Sequence, residues 1–444
     1  MAILSKEEAA AILKKVLSFS KADECEVSFN GTAGGNIRYA RNSVSTSSEI
    51  DKLNLEISSA FGNQRGTATT NELDDDSLRK AVKMSEDLAR LAPANPEHMA
   101  ILGPQVYKET PTFSASTAAI TPDIRAEAVS KSIQTAKAVN LNAAGFFENK
   151  TSFSALMNSK GLSAYSQETN VNFSLTVRNE AGTGSGYVAR AYNDVSKLDT
   201  KTASEIAVNK ALASVNARAI EPGKYTVILE PTASVVLLEY LFNSMDARSA
   251  DEGRSFLSKA GGGTRLGQKL VDERVTFYSD PENPELPSAG WNGDGRPQEK
   301  VTWIDKGIVK NMPYSRYWAH KKEVKGYPAA DRMSMMGGNS SLDEMIKSTE
   351  KGILITKLWY IREVDPQTLL LTGLTRDGTF YIENGKIKFP VKNFRFNESP
   401  VIMLNNLDLL GKPERCYSTE SANNYLIPPM RIRDFTFTSL SDAV

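Results

Sequence analysis

Apolar and polar positions change period several times along the chain, and each change marks an element. Ser5 followed three residues later by Glu8 has the form of a capping box, and Ala9, Ile12, Leu13 and Val16 then share one face of a helix ending near Lys21. Between Cys25 and Thr69 the pattern shortens to β-rich runs, CEVSF, NIRYA, LNLEISSAFG and RGTATT, separated by turn residues. Helical spacing returns at Asp75 to Leu91, carried by Leu78, Val82, Met84 and Leu88, and APANPEHM follows as a linker. The order then recurs. Thr121 and Pro122 cap and start a helix through Val139, strand-like runs occupy Ala144 to Ala191, and another helix covers Thr200 to Val215. RNSVSTSSEIDKLNLEIS near Arg41 echoes MNSKGLSAYSQETNVNFSLT near Met157. Residues 1–92 and 120–218 are therefore expected to be two similar sheet-and-helix units of an N-terminal domain that ends at residue 220.

From Lys224 the texture changes. YTVILEP suits a buried strand, and Ala233 to Met245 predicts a helix apolar on almost every side, with Glu239 and Asn243 as polar exceptions one turn apart. A helix of that kind belongs in a domain centre or interface. After it come the loop RSADEGRSFLSKAGGG, the strand ERVTFYSDP, a hairpin of KVTWID and IVKNM around Lys306-Gly307, and a helix capped by Ser341 with Glu344. The stretch Gly352 to Phe396 predicts the centre of an antiparallel sheet. Ile353 to Leu358 is one strand, Leu369 to Leu371 opens a second beyond the Asp365-Pro366 break, and Asn384-Gly385 turns Gly378 to Glu383 into Lys386 to Asn393. A helix over Pro400 to Leu410 and a last strand, MRIRDFTFTS, complete residues 221–444 as a second, β-rich domain. The expected fold class is α+β, with a large mixed or antiparallel sheet and a buried helix in the C-terminal domain.

A length of 444 residues accommodates two or three domains, and a composition 40% apolar and 24% charged is that of an ordinary globular protein. Fifty-three basic residues balance 53 acidic ones, so no overall field draws the chain to nucleic acid or an anionic membrane. No stretch reaches membrane-spanning length, and the N-terminus lacks the apolar core of a signal peptide. Cys25 and Cys416 make no disulfide framework. A cytoplasmic location is expected.

The succession NSVSTSSEIDKLNLEISSAFGNQRGTATTN, LGQKLVDERVTFYSDP, GDGRPQEKVTWIDKGIVKN, SLDEMIKSTEKGILITKLW and IENGKIKFPV resembles the TldD/PmbA (TldE) family, whose older name is modulator of DNA gyrase. These landmarks span nearly the whole chain, and their order carries the resemblance. It implies a bacterial cytoplasmic protein that processes or degrades unfolded peptides, built from two related subunit types. The TldD type carries a His-Glu-x-x-x-His zinc motif on a helix after a strand; the PmbA/TldE type lacks it and completes the chamber. A dimer is implied, either with a TldD-type partner or with a second copy. The helix corresponding to the metal motif here reads VVLLEYLFNSMDARS, which puts Glu239, Tyr240 and Ser244 where His, Glu and His would stand; a shift of one residue keeps Glu239 as a base and offers Leu238 and Asn243. Neither register contains histidine, and the chain has only His98 and His320. No metal is expected on this chain, and zinc or a similar ion is expected in the partner.

Glu239 is then either a residual carboxylate that holds a substrate amine or orders water, or a structural group, buried and satisfied by an arginine or lying on the helix's solvent edge. Cys416, in PERCYST, stands where metal-bearing relatives place a cysteine resembling a third ligand, and is otherwise a small buried residue. Asp294 in GDGRPQ, with Arg376 and Asp377 before IENGKI, either lines a peptide groove or only forms turns. The glycines 261–263 lack the following Lys-Ser/Thr of a phosphate loop, and a serine or cysteine nucleophile would need His320 as its base. Peptide binding by strand addition is expected at an edge contributed by Leu369 to Glu383. The competing function is a non-enzymatic peptide-binding or scaffold protein; a third is a hydrolase acting alone.

Overall fold

The computed structural model describes residues 3–418 and 420–441. Helix α1 (Lys6–Phe19) starts at the expected capping box, in which the Ser5 hydroxyl accepts from the Glu8 amide and the Glu8 carboxylate from the Ser5 amide. Three strands follow, β1 (Glu24–Ala40), β2 (Ser43–Phe61) and β3 (Gln64–Thr70), then α2 (Asp75–Leu91) and a short α3 (Ala115–Ala118). The second unit repeats the plan with α4 (Pro122–Lys137), β4 (Asn142–Asn158), β5 (Ser163–Arg178), β6 (Ser185–Tyr192) and α5 (Thr200–Ala213). All six strands form one antiparallel sheet in the order β3-β2-β1-β4-β5-β6. The first strand of each unit lies at the centre, and each unit runs outward from it.

CEVSF and NIRYA, read as separate runs, are parts of β1. Gly34 does not end the strand; it lets β1 approach β4 so closely that a Cβ there would fall 2.1 Å from the Asn149 carbonyl oxygen. Helix α2 buries Leu78, Ala81, Val82, Ser85 and Ala89, whereas Met84 and Leu88 remain about half exposed, against expectation. The reason is a close contact: at Gly66 of β3 a Cβ would meet the Ala89 nitrogen at 2.2 Å, so small residues must face the sheet. Val27, Phe29, Leu55 and Ile57 pack with α1 and α2, and Tyr39, Phe147, Phe173 and Val177 with α4 and α5. Alternate residues, including Ser28, Asn30, Ser152 and Ser154, consequently occupy the opposite, polar face.

In the C-terminal half β7 (Lys224–Leu229) leads into α6 (Pro231–Asn243), which starts two residues earlier than the apolar run suggested because Pro231 takes the first helical turn. Then come α7 (Ala247–Asp251), β8 (Phe277–Ser279), β9 (Val301–Asp305), β10 (Ile308–Val309), α8 (Arg316–Lys322), β11 (Met333–Met335) and α9 (Leu342–Lys347). The central stretch forms β12 (Lys351–Asp365), β13 (Leu370–Glu383), β14 (Lys386–Pro390) and β15 (Phe394–Glu398). The last elements are α10 (Pro400–Asn405), β16 (Leu407–Leu410), β17 (Glu414–Tyr417), β18 (Asn424–Ile427) and β19 (Met430–Leu440). The helix expected through Leu410 is thus cut short by a strand pairing with β19.

These strands make two further sheets. One has the order β10-β9-β8-β11-β18-β17. In the other, β12, β7, β19, β15 and β13 pair in sequence and β13 pairs back to β12, closing a ring in which only β7 and β12 are parallel. Closure overturns the expected edge at Leu369 to Glu383: β13 has β12 on one side and β14 and β15 on the other. Helix α6 lies between ring strands β7 and β12 and strands β17 and β18 of the other sheet, which explains why Val235, Val236, Leu237, Leu238 and Leu241 are all buried. Among the described residues no helix is long and apolar enough to cross a membrane.

Candidate functional site

Helix α6 carries Glu239, Tyr240 and Ser244, the positions that the family resemblance sets against a metal motif, and their hydrogen-bonding capacity is met within the protein. Glu239 is 3% exposed and accepts hydrogen bonds from Ser418 Oγ at 2.6 Å and Tyr425 Oη at 3.0 Å. Hydroxyls, rather than an arginine, satisfy it. Burial, followed by the charge of Glu239, pushes the Tyr425 phenol up from its ordinary value, so it stays a donor. Tyr240 is half-buried and donates to the Ile361 carbonyl at 3.2 Å; Ser244 ends the helix, and its carbonyl accepts from Ser255 Oγ at 2.7 Å. Cys416 is buried with its sulfur 3.7 Å from the Tyr425 carbonyl, and burial pushes the thiol far up.

This donor set does not fit zinc. It lacks histidine, its carboxylate is already occupied by two hydroxyls, and burial keeps its thiol protonated. His98 lies 3.5 Å from Glu24, and His320 is exposed at the end of α8. Among the described residues no group of three His, Cys, Asp or Glu is placed to hold a metal ion.

Asp294, Arg376 and Asp377 do not form one groove. Asp294 braces the turn after Trp291 by pairing with Arg296, whose guanidinium also donates to the Gly326 carbonyl. Asp377 is buried elsewhere, in the left-handed region at φ 53° within β13, and accepts from Ser185 Oγ of β6 at 2.5 Å. Arg178, Lys357 and Arg376 surround it at 3.6, 3.7 and 3.8 Å. Burial lowers the Lys357 amine from its ordinary value, with Asp377 opposing the shift. Arg376 stacks on Trp359, its guanidinium carbon 4.0 Å from the ring centre. This cluster joins the first sheet to the ring and borders a cavity of about 300 Å³.

Two other cavities meet near α6. One, of about 200 Å³, is bordered by Phe242, Asn243, Trp303 and Tyr425, so the phenol that holds Glu239 also faces it. The other, of about 330 Å³, lies between the polar face of the first sheet and the segment around Trp291. Asp331 borders both. Asp331 is exposed to solvent, and partial desolvation by neighbouring protein pushes its carboxyl up to about 6; Arg332 opposes the shift and Glu168 adds to it. Asp331, Trp291, Ser418 and Tyr425 escaped the sequence reading because they share no motif. The GDGRPQ turn, read for Asp294, begins two residues after Trp291 and was the nearest signal.

Family models confirm what the fold suggests. The PmbA/TldA metallopeptidase C-terminal domain matches residues 222–439, and the central domain of the same family matches residues 105–215. The metalloprotease PmbA of Escherichia coli O157:H7 is 22% identical, over 96% of this chain and 95% of its own length. TldE from Thermococcus kodakarensis superposes with a TM-score of 0.86 at 19% identity, covering 97% of this chain and 99% of that one. A Thermotoga maritima protein named as a modulator of a DNA gyrase gives 0.85 at 18% identity, covering 97% and 100%. Two domain models of one family, matching residues 105–215 and 222–439, and a relative matched over nearly its full length give one answer: the chain belongs to the TldD/PmbA metallopeptidase family.

Proposed function

We propose that this protein is the non-catalytic, TldE-type subunit of a two-subunit cytoplasmic peptidase, in which it binds extended peptide and a TldD-type partner supplies the metal. The observation that carries this reading is the state of α6. Glu239 stands where a metal motif would lie and is closed off by Ser418 and Tyr425, with no histidine on the helix. In the same reading residues 1–220 and 221–444 are the two domains.

Peptide binding by strand addition moves from β13 to β12. β7 pairs with β12 only at Ile353, Leu354 and Ile355, so between Leu358 and Asp365, where Leu358, Trp359, Arg362, Glu363 and Asp365 pair with β13, no strand among the described residues lies on the other side, although the Ile361 carbonyl already accepts from Tyr240. Trp359, Tyr360 and Val364 are exposed along this segment. Main-chain hydrogen bonds to such an edge require no particular peptide sequence, which suits an unfolded substrate.

The test is reconstitution. The purified chain is assayed for peptide cleavage and metal content alone and after mixing with a TldD-type subunit, with the complex isolated by size exclusion. Cleavage confined to the mixed complex, with metal only in the partner, is expected. Cleavage and stoichiometric metal in this chain alone would overturn the reading. A failure to form any complex would favour the scaffold alternative.

A further inference from the structure

The cavity over the first sheet has an uneven chemistry. Its floor is built by Ser28, Asn30, Ser152, Ser154 and Ser166, and its charged lining is Glu168 and Asp331, with no lysine or arginine among the described residues. Glu168 is paired with Arg332. Asp331 makes no hydrogen bond or ion pair among the described residues. Asp331 is exposed to solvent on the cavity wall, so a cationic group entering the cavity can reach its carboxylate without breaking an existing ion pair. Trp291, 8% exposed, walls the same cavity, and its indole N–H is buried without an acceptor.

Resting on the peptide-binding reading above, we propose that this cavity takes a primary ammonium group of the peptide, with Asp331 as its counter-charge. An ammonium has three donors and no acceptor, and the serine and asparagine oxygens of the floor supply acceptors around it. An anionic group finds no basic side chain in the lining. The cavity accommodates a residue or so and not a whole chain, so it anchors one point of the peptide. The ammonium belongs either to the amino terminus or to a lysine side chain; the chemistry is shared and the source is decided by experiment.

The measurement is calorimetric titration of the full chain with three probes of one length: an alanine-rich hexapeptide, its N-acetylated form, and an acetylated form with a single lysine. At least one amine-bearing peptide is expected to bind about tenfold or more tighter than the acetylated, lysine-free one. Asp331→Asn should erase that preference, and Ser154→Leu, which fills the floor and leaves Asp331 in place, should do the same, with thermal unfolding confirming that both variants are folded. Which amine-bearing peptide keeps the tight binding identifies the source. Equal binding of all three, or a preference surviving in Asp331→Asn, would overturn the inference while leaving peptide binding intact. Binding of none would also overturn it, and the reconstitution assay would still judge the subunit reading separately.

Discussion

Glu239 and Asp331 are two carboxylates near one end of α6, and folding treats them in opposite ways. Glu239 is sealed from water and holds two hydroxyl donors, whereas Asp331 remains in reach of solvent, borders two cavities and holds no partner among the described residues. The first is completed by the fold. The second is left for a ligand. The family resemblance draws attention to Glu239 first, whereas hydrogen-bond completion sets Asp331 apart.

The largest expected effect comes from breaking the completed site. Glu239→Ala removes the acceptor of both Ser418 and Tyr425 and leaves a gap among the apolar neighbours of α6, so a loss of about 3 kcal/mol is predicted from urea unfolding. A loss below about 1 kcal/mol would mean that the hydroxyls find other acceptors and that the pairing is incidental.

A smaller effect of opposite sign is expected at Asp331. Its folded carboxyl titrates at about 6, above the ordinary value of 3.8, so the native state favours the protonated form. The resulting penalty is absent below the unfolded value, grows as the unfolded state ionises, and is complete above pH 6. Solvent screens the carboxylate and keeps the penalty small. Asp331→Asn should therefore raise the unfolding temperature by roughly 1–2 °C at pH 8 and leave it unchanged near pH 3. Destabilisation at pH 8 would show that Asp331 has a folded-state partner, and the contrast with Glu239 would fail.

Much of this fold is legible in residue patterns because it depends on local chemistry. The capping boxes at Ser5 and Ser341, the Asn384-Gly385 hairpin and the succession of the two N-terminal units rest on near neighbours in sequence. Ring closure does not: β12 and β13 are adjacent in sequence, but the return path through β7, β19 and β15 joins residues from Lys224 to Leu440. The open edge consequently lies on β12 where the pattern suggested β13. The face of α2 was misplaced because Gly66 draws Ala89 against the sheet, a tertiary contact invisible in helical periodicity. The candidate cavity was illegible for the same reason, since it joins Ser28, Glu168 and Asp331 through packing between distant segments.

The most direct test of the central claim is a Glu239→Gln chain assayed in complex with a TldD-type subunit. The substituted amide keeps the size of the side chain and can still pair with Ser418 and Tyr425 while removing the charge. If this chain contributes binding and shape but no catalytic carboxylate, cleavage per mole of intact complex stays within about twofold of the unsubstituted complex, a difference of about 0.4 kcal/mol in the barrier. A fall of a hundredfold or more in a complex of undiminished stability would place Glu239 in the chemistry and contradict the account.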